Sequence, residues 1–146
     1  MTSNVAKGGA FQRWVKAWVE SNYPGSIVHN EAGCANSYYD KKEDKIVYRS
    51  KNRDIFNCID LIAVIPGKKT IFIQATLHKA TGYRLKEFVV VPWNLDHCIV
   101  QLWQDKGGGR KVIQQLSQHI EGGCVVSSLT TVGEIIRGKC DTEIFD

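Results

Sequence analysis

The chain has 146 residues, with 19 Lys and Arg against 15 Asp and Glu for a formal net charge of +4. That length predicts one domain with a core of its own, and so mild a basic excess allows a polyanionic partner without requiring one. The five cysteines, Cys34, Cys58, Cys98, Cys124 and Cys140, are odd in number, widely spaced and without a C-x-x-C pair, which argues against a zinc site or a disulfide framework.

In chain order, residues 1–7 read as a loose leader. Ala10 to Asn22 follows as a helix, with Phe11, Trp14, Val15, Trp18 and Val19 at the i, i+3, i+4, i+7, i+8 positions, and Tyr23-Pro24-Gly25 ends it. Ser26 to Asn30 is a short candidate strand. Residues 31–50 are a polar excursion, mobile or hairpin-like, carrying Lys41, Lys42, Lys45 and Arg49. Two β-rich runs around Pro66-Gly67 then predict a hairpin from Asp60 to Thr76. Thr81 to Phe88 is expected to be a short helix, Val89 to Val91 and His97 to Gln104 strands, Gly107-Gly108-Gly109 a loop tip, and Lys111 to Leu116 another strand. Thr131 is a candidate N-cap for a C-terminal helix over Val132 to Arg137, stopped by Gly138, before an acidic tail with Asp141, Glu143 and Asp146. Helix, strand, hairpin, helix and strands in that order predict an α/β (α+β) domain on one mixed sheet. No apolar run approaches the roughly 20 residues that cross a bilayer, so a soluble cytoplasmic protein is expected, in the host cytoplasm if it is viral.

The hairpin carries polar residues where a core wants apolar ones. Alternation places Gln74 and Thr76 on one face of the second strand with Phe72, and Ile71, Ile73 and Ala75 on the other. Asp60 shares its face with Ile62 and Val64, and an odd loop length brings it onto the face of Gln74, across from it. Buried polar side chains need partners, since each left unsatisfied costs roughly 1 to 3 kcal/mol. Carboxylate and amide oxygens are hard ligands that suit Mg²⁺, which keeps several waters and uses one or two protein carboxylates; such an ion polarises a phosphate and activates water. The scattered His29, His78, His97 and His119 form no H-E-x-x-H pattern, and no G-x-S-x-G elbow occurs. Trp93 and Trp103 are candidates either for stacking on bases or for the core.

Asp60 before an apolar strand, a turn, and Ile71-Phe72-Ile73-Gln74-Ala75-Thr76 resemble the core of the PD-(D/E)XK nuclease superfamily, in particular the small Holliday junction resolvase-like proteins of phages and archaea. Gly8-Gly9-Ala10-Phe11-Gln12-Arg13 resembles the family's opening helix, and Arg53 to Ala63 with Arg84-Leu85-Lys86 resembles a subgroup with a Gln-x-Thr hairpin. The likeness covers residues 8–25 and 51–115. It implies a restriction-endonuclease-like core, a Mg²⁺ or Mn²⁺ cofactor, phosphodiester hydrolysis in branched DNA, and a homodimer whose two-fold axis relates the two cuts.

The departures are specific. The family's opening glutamate corresponds to Gln12, its second acid to Gln74 and its lysine to Thr76, so only Asp60 keeps its type. The resemblance therefore implies Asp60, Gln74 and Asp54 as metal ligands, with Glu31 a second spare acid, and Thr76 and Gln12 shaping the water and scissile phosphate. Lys79, Arg84 and Lys86 are candidates to replace the missing lysine; Lys51, Arg53, Lys79, Arg84, Lys86, Arg110 and Lys111 are the expected DNA contacts. Two other readings stand beside this one: a DNA-binding module that keeps the nuclease fold without catalysis, and a structural protein of a virus particle.

Overall fold

In the computed structural model, residues 4–30, 34–51, 55–56, 58–77 and 81–146 are described, with side chains over 8–30, 41–45, 55–56, 58–77 and 82–146. The apolar stripe from Phe11 winds as α1, Asn4–Asn22, which begins inside the expected leader. Gly25, at φ 82, turns the chain into β1, Ile27–Asn30. The polar excursion is a hairpin of β2 (Cys34–Asp40) and β3 (Lys45–Lys51), a two-stranded sheet of its own. The central hairpin is β4 (Leu61–Val64) and β5 (Thr70–Thr76), with Gly67 at φ 76 in its turn. Then come α2 (Thr81–Val89), β6 (Cys98–Gly107), β7 (Arg110–Glu121), β8 (Cys124–Ile136) and β9 (Lys139–Cys140).

Seven strands form one mixed sheet in the order β1-β4-β5-β6-β7-β8-β9. All neighbours are antiparallel except β5 and β6, the parallel pair that α2 connects. The chain is thus a mixed α/β fold, as its element order predicted. The two faces have separate cores. Phe11, Val15, Trp18 and Val19 of α1 pack with Leu61, Ala63, Ile71, Ile73 and Trp103 on one side; Leu85 and Phe88 of α2 pack with Phe72, Val100, Leu102, Leu116 and Leu129 on the other. Central β5 is therefore covered on both faces, and Ile71 and Ile73 are fully buried.

Two expected elements differ. Val89 to Val91 is not a strand: Val89 ends α2, and Phe88 accepts from both the Val91 amide (3.1 Å) and Trp93 Nε1 (2.9 Å), which satisfies a carbonyl that the last helical turn leaves open. The expected C-terminal helix is the second half of β8. Gly122-Gly123, both at positive φ, make the tight turn of a β7–β8 hairpin, and Arg137-Gly138, also at positive φ, turn β8 into β9 where a helix stop was expected. Between those turns the β-branched Val125, Val126, Thr130, Thr131, Val132, Ile135 and Ile136 gain more from pairing with β7 than from an isolated helical turn. The acidic tail is anchored, with Ile144 and Phe145 buried in the α1-side core. Among the described residues no helix is long and apolar enough to cross a membrane.

Candidate functional site

The register settles the face of Asp60. Leu61 pairs with Ile73 and Ile62 with Phe72, so Asp60, one step beyond, stands across from Gln74. Its amide donates to Ile73 O (3.0 Å) and its Oδ2 accepts from the Ala75 amide (3.0 Å). The carboxylate thus takes over the ladder where the backbone of β4 stops, which fixes its position. Asp60, Gln74 and Thr76 are 5, 3 and 4 % exposed. Parallel pairing sets Leu102 beside Gln74 and Gln104 beside Thr76, so the cluster lies over the C-terminal end of the β5–β6 pair.

Helix α2 closes this face. Leu85 and Phe88 anchor it in the core, which brings Arg84 and Glu87, each one residue earlier, to the edge of the buried stripe. Gln74 Nε2 donates to Glu87 Oε2; Arg84 Nη1 donates to both Glu87 oxygens and Nη2 to Thr76 Oγ1. All four contacts are 3.4 Å, beyond the usual 2.7–3.2 Å of an N–H···O bond. Gln104 Nε2 reaches Gln114 Oε1 at the same 3.4 Å. Two buried atoms in the cluster, Gln74 Oε1 and Arg84 Nε, have no hydrogen-bond partner among the described residues. The group is a loosely closed polar nest under a helix, with one amide oxygen awaiting a positive or donating neighbour.

Chemically the nest offers two carboxylates, an amide oxygen and a guanidinium. Among the described residues no group of three or more His, Cys, Asp and Glu converges, so any cation here relies on Gln74. The orphaned Oε1 and the hard-oxygen donor set fit a Mg²⁺-class ion. Glu87 is absent from the expected site. Its signal was present in the helical wheel: with Leu85 and Phe88 as anchors, the i, i+3 pair Arg84 and Glu87 must flank them.

The other expected residues are placed as follows. Gln12 lies on α1, against the opposite face, and makes no hydrogen bond among the described residues. The N-terminal part of α1 does reach the same strand ends, where Phe11 and Trp14 meet Leu77, Asp105 and Lys111. The Lys111 ammonium sits 4.8 Å from the Trp14 ring centroid and 3.4 Å from Asp105. Arg110 is paired with Glu134, and Lys86 is exposed. Glu31, Arg53, Asp54 and Lys79, and the side chain of Lys51, lie outside the described residues. Trp103 is a core residue, and Trp93 packs on Phe56 and Phe72, so their rings serve the fold. Comparison with models of protein families, with characterised proteins and with solved structures gives no match.

Proposed function

We propose that the chain is a metal-dependent, structure-selective DNA endonuclease of the PD-(D/E)XK, Holliday junction resolvase-like kind, built on a restriction-endonuclease-like core and working as a homodimer. One observation carries the reading. At both hairpin positions where the resemblance loses a charged group, α2 supplies a side chain of the missing charge in contact with the replacement: Glu87 on Gln74, and Arg84 on Thr76. The hairpin followed by a helix and a parallel strand in the middle of a mixed sheet supports the same core.

In this reading Asp60, Gln74 and Glu87 hold Mg²⁺ or Mn²⁺; when bound, such an ion supplies Lewis acidity toward a phosphate oxygen and a more acidic water. The chain does the rest. The Ala75 amide holds Asp60 in one orientation, α2 and the apolar core beneath it shield Asp60, Gln74 and Thr76 from bulk water, and Arg84 offers a planar, permanently charged fork to the phosphate. Lys86, exposed on α2 between Arg84 and Glu87, offers a charge to the DNA backbone.

A second reading, DNA binding without catalysis, is favoured by one feature: Arg84 already neutralises Glu87. Incubation with four-way junctions and linear duplex, in Mg²⁺ or Mn²⁺ and in EDTA, separates the two. Metal-dependent cleavage that Asp60→Asn lowers about 100-fold supports the nuclease. Salt-sensitive binding with no such cleavage overturns it for the silent module, and no DNA affinity at low salt removes both.

A further inference from the structure

We infer that the Arg84–Glu87 ion pair is a latch that holds the cation site closed until a phosphate draws Arg84 away. The inference deepens the reading above and rests on its oxygen set. A cation that takes a Glu87 oxygen competes with Arg84 Nη1, which faces both of them. A phosphate that takes the Arg84 fork competes in turn with Glu87 for Nη1 and with Thr76 for Nη2. Each ligand weakens the same pair.

The geometry favours release. Every contact of the latch is 3.4 Å long, and Arg84 Nε and Gln74 Oε1 are buried without partners. A closed state with two unsatisfied polar atoms is held less tightly than its burial suggests. The pair is not sealed off either, since the Arg84 and Glu87 side chains are each 22 % exposed, so an incoming phosphate can reach the guanidinium. Opening the latch frees the Glu87 carboxylate beside the Gln74 amide, whose oxygen is already without a partner among the described residues. Linkage then requires phosphate and cation to strengthen each other by one common factor.

The test is Mn²⁺ binding to the full chain, followed by the electron paramagnetic resonance signal of free Mn²⁺. Arg84→Gln should bind Mn²⁺ about fivefold tighter than the wild type, the size a part-buried ion pair supports. Glu87→Gln should bind more weakly, and the double variant should bind as Glu87→Gln does. Lys106→Gln removes an exposed positive charge without touching the latch and should change affinity less than twofold. Equal or weaker binding by Arg84→Gln overturns the latch, and so does a gain that survives in the double variant.

A second measurement needs no change at position 84. At constant ionic strength, Ca²⁺ should raise the affinity of the wild type for a fluorescent duplex by about the same factor, and leave Glu87→Gln unaffected. Equal enhancement in both proteins overturns the proposal even if Arg84→Gln fails to fold. Latch and nuclease fail separately: a Mn²⁺ gain in Arg84→Gln without metal-dependent cleavage keeps the first and ends the second.

Discussion

Two buried glutamines, on opposite faces of adjacent strands, are treated in opposite ways. Gln101, fully buried on the α1 side of β6, is saturated: Nε2 donates to Ile144 O (2.5 Å) and Gln115 Oε1 (3.1 Å), and Oε1 accepts from Trp103 Nε1 (2.9 Å). Gln74, nearly as buried on the α2 side of β5, has one contact of 3.4 Å and an orphaned oxygen. A satisfied buried amide fixes structure, here the docking of the C-terminal tail. An unsatisfied one does not fix structure in that way, and for Gln74 Oε1 the described residues supply no partner.

Replacing each glutamine by leucine, which is close in volume, tests that contrast most sharply. Gln101→Leu strands Trp103 Nε1, the Ile144 carbonyl and the Gln115 amide, and should cost about 3 kcal/mol in urea unfolding, each abandoned group contributing roughly 1 kcal/mol or more. Gln74→Leu removes an atom that is already unpaired and a single long contact, so its stability should stay within about 1 kcal/mol of the wild type. Equal losses in the two variants would make Gln74 an ordinary structural amide and take away the main support for a site.

A smaller effect is expected at Gly133, where β8 passes under the tail. A Cβ built there meets Ile144 Cγ2 at 2.5 Å and Thr142 Oγ1 at 3.0 Å, so Gly133→Ala must push the tail outward at roughly 1 to 3 kcal/mol, the usual range for overpacking. Because Phe145 stacks near Trp103 at 6.3 Å between centroids, the displacement should register in tryptophan fluorescence. Unchanged fluorescence with unchanged stability would show that the tail contributes little on the Gln101 side. On the Gln74 side, Mn²⁺ affinity should not move.

How far the sequence carried this contrast differs for its two halves. Alternation alone placed Gln74 and Thr76 together with Phe72, and the hairpin register put Asp60 across from Gln74, because a period of two is rigid once one face is apolar. Glu87 is harder to read: Thr81 to Phe88 offers cations for the missing lysine on its face, and its acid meets the sheet only once Leu85 and Phe88 dock α2. Gln101 was missed for a different reason. A lone glutamine within an apolar strand looks like any other polar interruption until its partners, Gln115 and Ile144, are known to lie beside it, and 43 residues separate it from Ile144. The β7–β8 hairpin was hidden in part by Gly138, which ends a helix as readily as it makes a turn; the β-branched run and Gly122-Gly123 were the better signals.

The smallest effect concerns the rim of the Gln101 side and its response to pH. Tyr23 Oη donates to Glu143 Oε1 (3.1 Å), and its ring lies 5.0 Å from that of Phe145. Burial first, and the negative charge of Glu143 next, hold the phenol well above its ordinary pKa of 10.0. An acid whose pKa is raised by folding stabilises the fold through its neutral form, so this contribution is complete below pH 10.0 and is lost as pH rises through the folded-state value. Tyr23→Phe should therefore cost about 0.5 to 1 kcal/mol near neutrality, and the gap from wild type should close as alkali ionises the tyrosine. Stability curves from pH 7 to 11 for the two proteins check this; a gap that stays constant across that range would show that folding leaves the tyrosine's ionisation unchanged, and no gap at all would place the stabilisation in ring packing alone. The loss is small because Gln101 and the buried Phe145 hold the same tail independently, a redundancy that the nest around Gln74, with its long contacts and unpaired atoms, does not have.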